Sequence, residues 1–375
     1  MDINYIVIPA VLVLVMCVAV FCALGRIFLL NQSGHSPVRK WIERAILWPF
    51  ALICTGLALS TAFNAVALYW YRHPPPGEMY QVNGHLMRMQ CMGNGSPTLV
   101  LEAGSGNGGL TWAGIQPKLA THTRVCSYDR AGLGWSDPLP GPRDADHIAA
   151  ELHGLLASAG VERPVILMGH SMGGLFIRDY AAHYPDEVAG LIFEDSSTPL
   201  QNRNPAYLTY DGPRKATKFN IALNKAMFIL GVPRLLGACS GKLDGQDTLA
   251  TRVLFEDKCH NPIDAIRAED ADFDLSGQET AHTGPFKSLP ILILEHDIAV
   301  DQADGLPASL LQAFQANQKD LAELSGRSHQ VIAKGSGHYI HLQRPDLVER
   351  EVFNFIDQVR GNKPSLEPQH SVAEE

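Results

Sequence analysis

Residues 167–174 read LMGHSMGG and place Ser171 between two glycines at G-x-S-x-G spacing. An apolar run, residues 164–168, precedes this serine, and a helix-like segment, residues 175–184, follows it. A strand, a sharp turn and a helix in this order are the context of a nucleophile elbow. The turn requires small residues two positions before and after the serine, because its strained backbone leaves no room for larger side chains. The pattern therefore predicts that Ser171 presents its hydroxyl as a nucleophile.

Short apolar runs alternate with stretches of helical length through most of the chain. The runs lie at residues 99–103, 165–168, 190–194 and 291–294, and residues 145–159 are one of the helical stretches between them. Strands that alternate with helices are typical of a parallel sheet covered by helices on both faces. The predicted fold class is therefore α/β, with a mostly parallel central sheet and flanking helices.

Three motifs make the chain resemble the α/β-hydrolase superfamily over roughly Tyr80 to Val359. They are GHSMGG at 169–174, DRAGLGWS at 129–136 and the pair Gly337-His338. Many members carry His-Gly before the oxyanion loop, whereas this chain has Ala103-Gly104, a change that concerns loop support because the donor expected there is a backbone N–H. A serine at the nucleophile position argues against dehalogenase-type and epoxide-hydrolase-type members, which use an aspartate.

The resemblance implies an α/β-hydrolase domain over residues 80–360. It also implies a helical cap inserted at about residues 198–285, between two of the predicted strands. In the family such a cap covers the active site and sets the choice of substrate. The sequence of this insertion does not name that substrate.

The family order of serine, acid and histidine selects the candidates for a catalytic triad. A serine hydroxyl is a weak nucleophile until a base takes its proton, and His338 is the base candidate because it follows Ser171 near the end of the fold. Asp195, at the end of one predicted strand, is the preferred acid. Asp297 follows a later strand after a shorter turn and is the alternative acid. The acid fixes the histidine tautomer and stabilises the imidazolium.

An oxyanion hole requires two N–H groups directed at the developing negative charge. The resemblance assigns one to the backbone of Met172, the residue after the nucleophile. It assigns the other to the loop after Ala103, with Ser105 as the candidate. The glycines of DRAGLGWS are expected to form a tight turn beside the site.

Composition and motifs limit the other classes of function. The chain has 375 residues, 30 basic and 39 acidic side chains and a formal net charge of −9. No Lys/Arg-rich block supports a nucleic-acid partner. The sequence contains neither a zinc-type Cys/His spacing nor a P-loop. We therefore predict a small-molecule acyl substrate, no metal and no cofactor.

The N-terminal region predicts a membrane anchor over residues 1–73. Two runs, Ile3 to Gly25 and Ala45 to Tyr71, contain no charged residue, and each has the roughly 20 residues that a spanning helix needs. We predict transmembrane helices at about 4–25 and 46–70. Basic residues in the loop between them predict a cytoplasmic loop and an extracytoplasmic catalytic domain.

The linker, the C-terminal tail and four cysteines carry further expectations. Residues 74–79 are a Pro-rich linker, expected to be a short stiff spacer. The polar residues 361–375 are expected to be disordered. An oxidising compartment would permit disulfides, and the two cysteine pairs considered are Cys91 with Cys126 and Cys239 with Cys259. For both pairs the sequence leaves free thiols as an equal alternative.

The sequence as a whole predicts a membrane-anchored serine hydrolase of the esterase or lipase kind. It would cleave a carboxylic ester or related acyl bond through an acyl-enzyme on Ser171. One alternative keeps the same triad and cleaves a thioester, an amide or a carbon–carbon bond. A second alternative is a non-catalytic ligand-binding protein on the same fold, because a fold does not fix a function.

Overall fold

A computed structural model describes residues 36–72, 76–199, 201–210, 218–240, 263–361 and 370–372, and the single positions 15, 18, 19 and 25. The strands are β1 (Glu78–Val82), β2 (His85–Met92), β3 (Leu99–Glu102), β4 (Val125–Tyr128), β5 (Val165–His170), β6 (Val188–Glu194), β7 (Ile291–His296), β8 (Ser328–Ala333) and β9 (His370–Val372). The helices are α1 (Pro37–Arg72), α2 (Gln116–Leu119), α3 (Ala145–Ser158), α4 (Gly173–His183), α5 (Pro205–Tyr210), α6 (Lys218–Ile229), α7 (Val232–Leu235), α8 (Ile263–Ala271), α9 (Phe273–Thr280), α10 (Ile298–Ala303), α11 (Ala308–Ala322), α12 (Ile340–Gln343) and α13 (Pro345–Val359). Short 3-10 turns occupy Gly109–Trp112, Pro185–Glu187, Gln201–Arg203 and Ala238–Ser240.

The strands form one sheet with the order β1-β2-β4-β3-β5-β6-β7-β8-β9. The pairs β1–β2 and β2–β4 are antiparallel, and every later pair in this order is parallel. This arrangement confirms the predicted α/β class with a mostly parallel sheet. The carboxyl ends of β3, β5, β6, β7 and β8 meet at one edge, where ligands bind in open α/β sheets.

Side chains on the central strands alternate between two apolar layers, one on each face of the sheet. On β5, Leu167 belongs to the first layer, whereas Met168 belongs to the second. Helices α3 and α4 contribute Leu155 and Ile177 to the first layer. Helix α13 contributes Phe355 to the second. Burial on both faces explains why the central strands read as continuous apolar runs in the sequence.

Cys91 and Cys126 form a disulfide between β2 and β4. The two residues are directly paired in the register of these strands. Cys239 is also disulfide-bonded, while Cys259 lies outside the described residues. The choice between thiol and disulfide that the sequence leaves open is therefore resolved in favour of a disulfide at Cys91 and Cys126.

The described parts of the chain fall into two compact units. One contains residues 1–75 and 216–241, and the other contains residues 76–215 and 242–375. The second unit holds the whole sheet. In the first unit, α1 includes the predicted second span 46–70 but begins earlier, at Pro37.

The predicted first span, at about 4–25, falls almost entirely outside the described residues. Within the part of the chain that the structure describes, no helix combines the length and the apolar character needed to cross a bilayer.

Within residues 361–375, which the sequence predicts to be disordered, the structure describes residues 361 and 370–372. Residues His370–Val372 form β9, which pairs with β8. Without β9, β8 would be an edge strand with unpaired backbone N–H and C=O groups, which favour the addition of another strand.

Candidate active site

Ser171 directly follows β5 and has a φ of 53°, in the left-handed region. A non-glycine residue there is strained, and it persists only where its surroundings fix it. The Ser171 N–H donates to the Glu194 carbonyl at 3.1 Å, and the Ser171 carbonyl accepts from the Ser197 N–H at 2.8 Å. The end of β6 therefore holds the turn from both sides of the serine.

The glycines on either side of Ser171 are required by close approach of the backbone. A Cβ on Gly169 would lie 2.7 Å from the Gly173 carbonyl carbon. A Cβ on Gly173 would lie 2.8 Å from the carbonyl oxygens of Glu102 and Ala103. Side-chain atoms are not tolerated at these distances, so the start of α4 can approach the end of β3 only with glycine at these positions.

His338 and Asp195 are in direct contact. The His338 Nδ1 lies 2.5 Å from the Asp195 Oδ2. Asp195 follows β6 directly and is buried, whereas the His338 side chain is about half exposed. With Nδ1–H donated to the carboxylate, the Nε2 atom of His338 is left as a proton acceptor.

Asp297, the alternative acid, has a different set of contacts. Its Oδ1 accepts from the Ala299 N–H at 3.0 Å and caps the start of α10. Its Oδ2 accepts from the Gly335 N–H, also at 3.0 Å. Both carboxylate oxygens of Asp297 are thus engaged by backbone N–H groups, as in an ordinary helix cap.

A second histidine contacts the same carboxylate as His338. The His296 Nδ1 lies 2.6 Å from the Asp195 Oδ1, and its Nε2 lies 2.8 Å from the Asp301 Oδ2. The His296 side chain is only 4% exposed. Asp195 therefore accepts from two imidazole rings, one on each oxygen. Neither His296 nor Asp301 is among the site residues predicted from the sequence.

The charges in this network stabilise one another. Burial would lower the pKa of His296, but the charge of Asp195 and the hydrogen bonds that His296 donates to Asp195 and Asp301 raise the pKa to about 10. Burial would likewise raise the pKa of Asp195, but His296 and His338 lower the pKa below its ordinary range. Asp195 is thus an anion and His296 a cation at neutral pH.

His170, the residue before Ser171, supports the His338 loop. Its Nε2 lies 3.0 Å from the backbone carbonyl of His338, and the two rings lie 4.6 Å apart between centroids. Burial, with the nearby His338 and His341, lowers the pKa of His170 well below its ordinary value. A neutral His170 donates from Nε2 to the His338 carbonyl and adds no positive charge beside Ser171.

The two candidate oxyanion donors line one cleft with Ser171. This cleft, of about 370 Å³, is lined by Ser105, Ser171, Met172, Ser197, Gln201, Asp270 and Phe273. Among the described residues, the backbone N–H groups of Ser105 and Met172 have no hydrogen-bond partner. Two uncommitted donors beside a serine hydroxyl suit the binding of an oxyanion.

The loop that carries Ser105 is held by the buried side chain of Arg130. The guanidinium donates to the carbonyls of Ala103 and Gly104, at 2.6 and 2.8 Å. It also forms ion pairs with Glu102 at 2.6 Å and with Glu269 at 2.7 Å. Arg130 therefore supports the loop in which Ala103 replaces the family's histidine. The DRAGLGWS motif contains this arginine, but sequence reasoning considered only its glycines.

The Ser171 hydroxyl has no hydrogen bond to any described residue. Contacts between nucleophile and base often tighten only when substrate is bound. The described parts of the chain thus bring together Ser171, the paired His338 and Asp195, and the donors Ser105 and Met172 at one edge of the sheet. They leave Asp297 in a capping role.

The sequence of this chain is similar to those of known proteins. A family model described as alpha/beta hydrolase fold matches residues 97–229. An AB hydrolase superfamily protein of Gibberella zeae is 25% identical over 289 residues, which cover 70% of this chain and 87% of that protein. The "probable transporter efuK" of Hormonema carpetanum is 26% identical over 302 residues, and there the match spans only 40% of the relative.

Solved structures share the fold. A thermophilic esterase from Thermogutta terrifontis aligns with a TM-score of 0.52 and 19% identity, covering 76% of this chain and 99% of the esterase. The enol-lactonase from Burkholderia xenovorans LB400 aligns with a TM-score of 0.53 and 19% identity, covering 74% and 99%. The sheet order, the family model over residues 97–229 and these structural similarities together show that the chain has the α/β-hydrolase fold.

Proposed function

We propose that this protein is a serine hydrolase that cleaves a carboxylic ester or a related acyl bond through an acyl-enzyme on Ser171. The observation that carries the proposal is one arrangement of groups. A strained serine shares a cleft with two uncommitted backbone N–H groups, and the hydrogen-bonded pair His338–Asp195 belongs to the same edge of the sheet. Esterase and enol-lactonase neighbours are consistent with hydrolysis.

The proposed reaction begins when the Ser171 Oγ attacks the acyl carbon and passes its proton to the His338 Nε2. Asp195 accepts from His338 Nδ1–H and stabilises the imidazolium that forms. The N–H groups of Met172 and Ser105 stabilise the negative charge on the carbonyl oxygen. His338 then protonates the leaving group, which departs and leaves the acyl-enzyme. In the second half, water attacks the acyl carbon and releases the acid.

His296 has a supporting role in this proposal. Its imidazolium keeps Asp195 ionised and, with Asp301, holds the carboxylate in a fixed orientation. A fixed carboxylate orients the His338 ring, which limits the motion between base and nucleophile. His296 is thus a positioning residue that acts through Asp195.

A panel of acyl compounds tests the proposed reaction and separates the alternatives. The panel contains p-nitrophenyl esters of increasing acyl length, matched thioesters and matched anilides. Serine-dependent turnover of esters supports the proposal. Preferential turnover of thioesters or anilides moves the assignment to another acyl bond, and binding without any turnover identifies a ligand-binding protein.

We also propose that the N-terminal region attaches the protein to a membrane, and the side chains of α1 support this. Leu52, Leu59, Phe63 and Val66 lie on one helical face and are 54–68% exposed. The opposite face is polar and buried. The Ser60 hydroxyl donates to the Leu230 carbonyl at 2.6 Å, and the Asn64 Nδ2 donates to the Phe228 carbonyl on α6.

Exposed apolar side chains and buried polar ones are the opposite of the pattern expected for a helix in contact with water. A helix at the surface of a soluble protein turns its apolar side inward. In lipid, small and polar side chains mediate the contacts between helices, and apolar ones face outward. At Gly231 a Cβ would lie 2.9 Å from the Asn64 Cβ, so the helices approach as closely as small residues permit. The Cys91–Cys126 disulfide further supports an oxidising, extracytoplasmic compartment for the catalytic domain.

Substitution of the nucleophile or the base is expected to abolish ester hydrolysis. Ser171→Ala and His338→Ala should each lower kcat by several powers of ten, on the order of 10⁴–10⁶, because the two groups act in one step. The double variant should be little worse than either single variant. Steady-state kinetics on a p-nitrophenyl ester measure this, and losses that add in the double variant would show that the residues do not share a step.

The two aspartates should respond very differently to the same substitution. Asp195→Asn should lower kcat by roughly 10³–10⁴ because the histidine loses its orienting acid. Asp297→Asn, the matched control, should weaken only the cap of α10 and the hydrogen bond from the Gly335 N–H, at a cost of about 1 kcal/mol in the free energy of unfolding. Near-normal turnover in Asp195→Asn, with loss in Asp297→Asn, would transfer the acid role to Asp297.

The buried His296 predicts a pH-dependent stability. Its pKa rises from 6.5 to about 10 on folding. The stabilisation is therefore complete below pH 6.5 and lost as the pH rises toward 10, with an upper limit of roughly 5 kcal/mol. Denaturant unfolding should show the gap in free energy between wild type and His296→Gln narrowing from pH 6 to pH 10. Asp301→Asn should change in the same direction by less. A gap that stays constant over this range would contradict the charged state of His296.

Cell fractionation tests the membrane proposal with the full chain. We expect the protein to stay in the membrane fraction after an alkaline wash, and external protease to reach the catalytic domain in cells with a permeable outer envelope. A charge on the exposed face, as in Leu59→Lys, should weaken attachment because it is costly in hydrocarbon. Recovery of the wild type in the soluble fraction would overturn attachment, and protection from protease would overturn the orientation.

A further inference from the structure

A second group of ionisable side chains lies where α3 and α4 meet. Asp146 is in the first turn of α3, and Asp179 and His183 are one turn apart on α4. Their ligand atoms all lie within 4.8 Å of one another. They line a depression of about 900 Å³ that includes none of the residues proposed for catalysis.

Asp179 is the unusual member of this group. Its side chain is only 1% exposed, and neither carboxylate oxygen has a hydrogen-bond partner among the described residues. Buried polar groups are nearly always paired, and a buried carboxylate without donors is costly. The only nearby cationic group in the cluster is His183, whose Nδ1 lies 3.1 Å from the Asp179 Oδ2 without satisfying hydrogen-bond geometry and donates instead to the Asp179 backbone carbonyl.

The neighbouring carboxylates add negative charge around the group rather than balancing it. Glu279, on α9, also lines the depression and accepts from the N–H groups of Ala145 and Asp146. Asp144 caps α3 by accepting from the His147 N–H. Both of these carboxylates are engaged by backbone donors, so they fix the start of α3 and leave Asp146 and Asp179 facing each other.

The donor set points to a cation. Two carboxylate oxygens and one imidazole nitrogen suit Zn²⁺ and Mn²⁺, and a fourth position is then filled by water. The half-exposed Asp146 and His183 leave a route from solvent to the buried Asp179. A cation here would bind one carboxylate oxygen of the buried Asp179 and link the two helices.

We propose that Asp146, Asp179 and His183 bind a divalent cation of the zinc or manganese type. Because α4 starts directly after the Ser171 turn, the cation would stabilise the helix behind the elbow without entering the chemistry. The proposal does not depend on the proposed function, since binding is measured independently of turnover.

The test uses the full-length protein after removal of metals with a chelator. Calorimetric titration with Zn²⁺ and with Mn²⁺ should show one binding event per chain for at least one of the two ions, and that ion should raise the thermal midpoint. Asp179→Asn and His183→Ala should each weaken binding by at least roughly tenfold. Asp304→Asn, on an exposed helix end, is the matched control and should bind as the wild type does.

Asp179→Asn provides a second readout that keeps the test decisive. Without metal it should raise the thermal midpoint, because it removes a buried carboxylate whose oxygens accept no hydrogen bond. With metal it should gain no further stability, unlike the wild type. Wild-type protein that binds neither ion at millimolar concentration, or variants that bind as tightly as wild type, would overturn the proposal.

Discussion

The strained backbone at Ser171 is the constraint on which the rest of the site depends. A non-glycine residue with a φ of 53° is held there by two backbone hydrogen bonds, one to Glu194 at the end of β6 and one from Ser197 just beyond it. The turn also brings the first residues of α4 so close to β3 that only glycine fits. Any larger residue at Gly169 or Gly173 would push the helix away from the sheet. The positions of the proposed nucleophile Ser171 and of the proposed oxyanion donor Met172 would then be lost together with the support of the helix.

A second strained residue mirrors the first. Asp195 has a φ of 44° and, like Ser171, directly follows a parallel strand. Its carboxylate accepts from His338 on one oxygen and from His296 on the other. The anion is thus stabilised on one oxygen by the buried His296 cation, and its other oxygen accepts from the half-exposed His338. This division explains how a fully buried carboxylate can stay ionised beside a cleft.

The sequence predicted those parts of the structure whose signal lies in contiguous residues. The Gly-Ser-Gly spacing identified the turn at Ser171, and the apolar runs identified the central strands, because both signals reside in contiguous residues. The contacts of Asp195 were harder to predict, since Asp195 and Asp297 both follow strands and differ only in what the chain later brings to them. Nothing local marks His296 as the partner of a residue 101 positions away.

The same limit applies outside the site. In the sequence, Arg130 is only one residue of a glycine-containing motif. Its role in holding the loop that carries Ser105 depends on ion pairs with Glu102 and Glu269 from distant segments. The pairing of His370–Val372 with β8 depends on an open sheet edge that composition does not reveal. The exposed apolar face of α1 agrees with an uncharged run in the sequence. Its buried polar contacts with Leu230 and Phe228 do not follow from hydropathy.

The central claim is that Ser171 forms a covalent acyl-enzyme. The most direct measurement is intact-protein and peptide mass spectrometry after reaction with a fluorophosphonate, which phosphonylates activated serines. The account predicts one added phosphonyl group per chain on the peptide that contains Ser171, and no addition in Ser171→Ala. Absence of any adduct on the folded wild type, or an adduct that persists in Ser171→Ala, would contradict it.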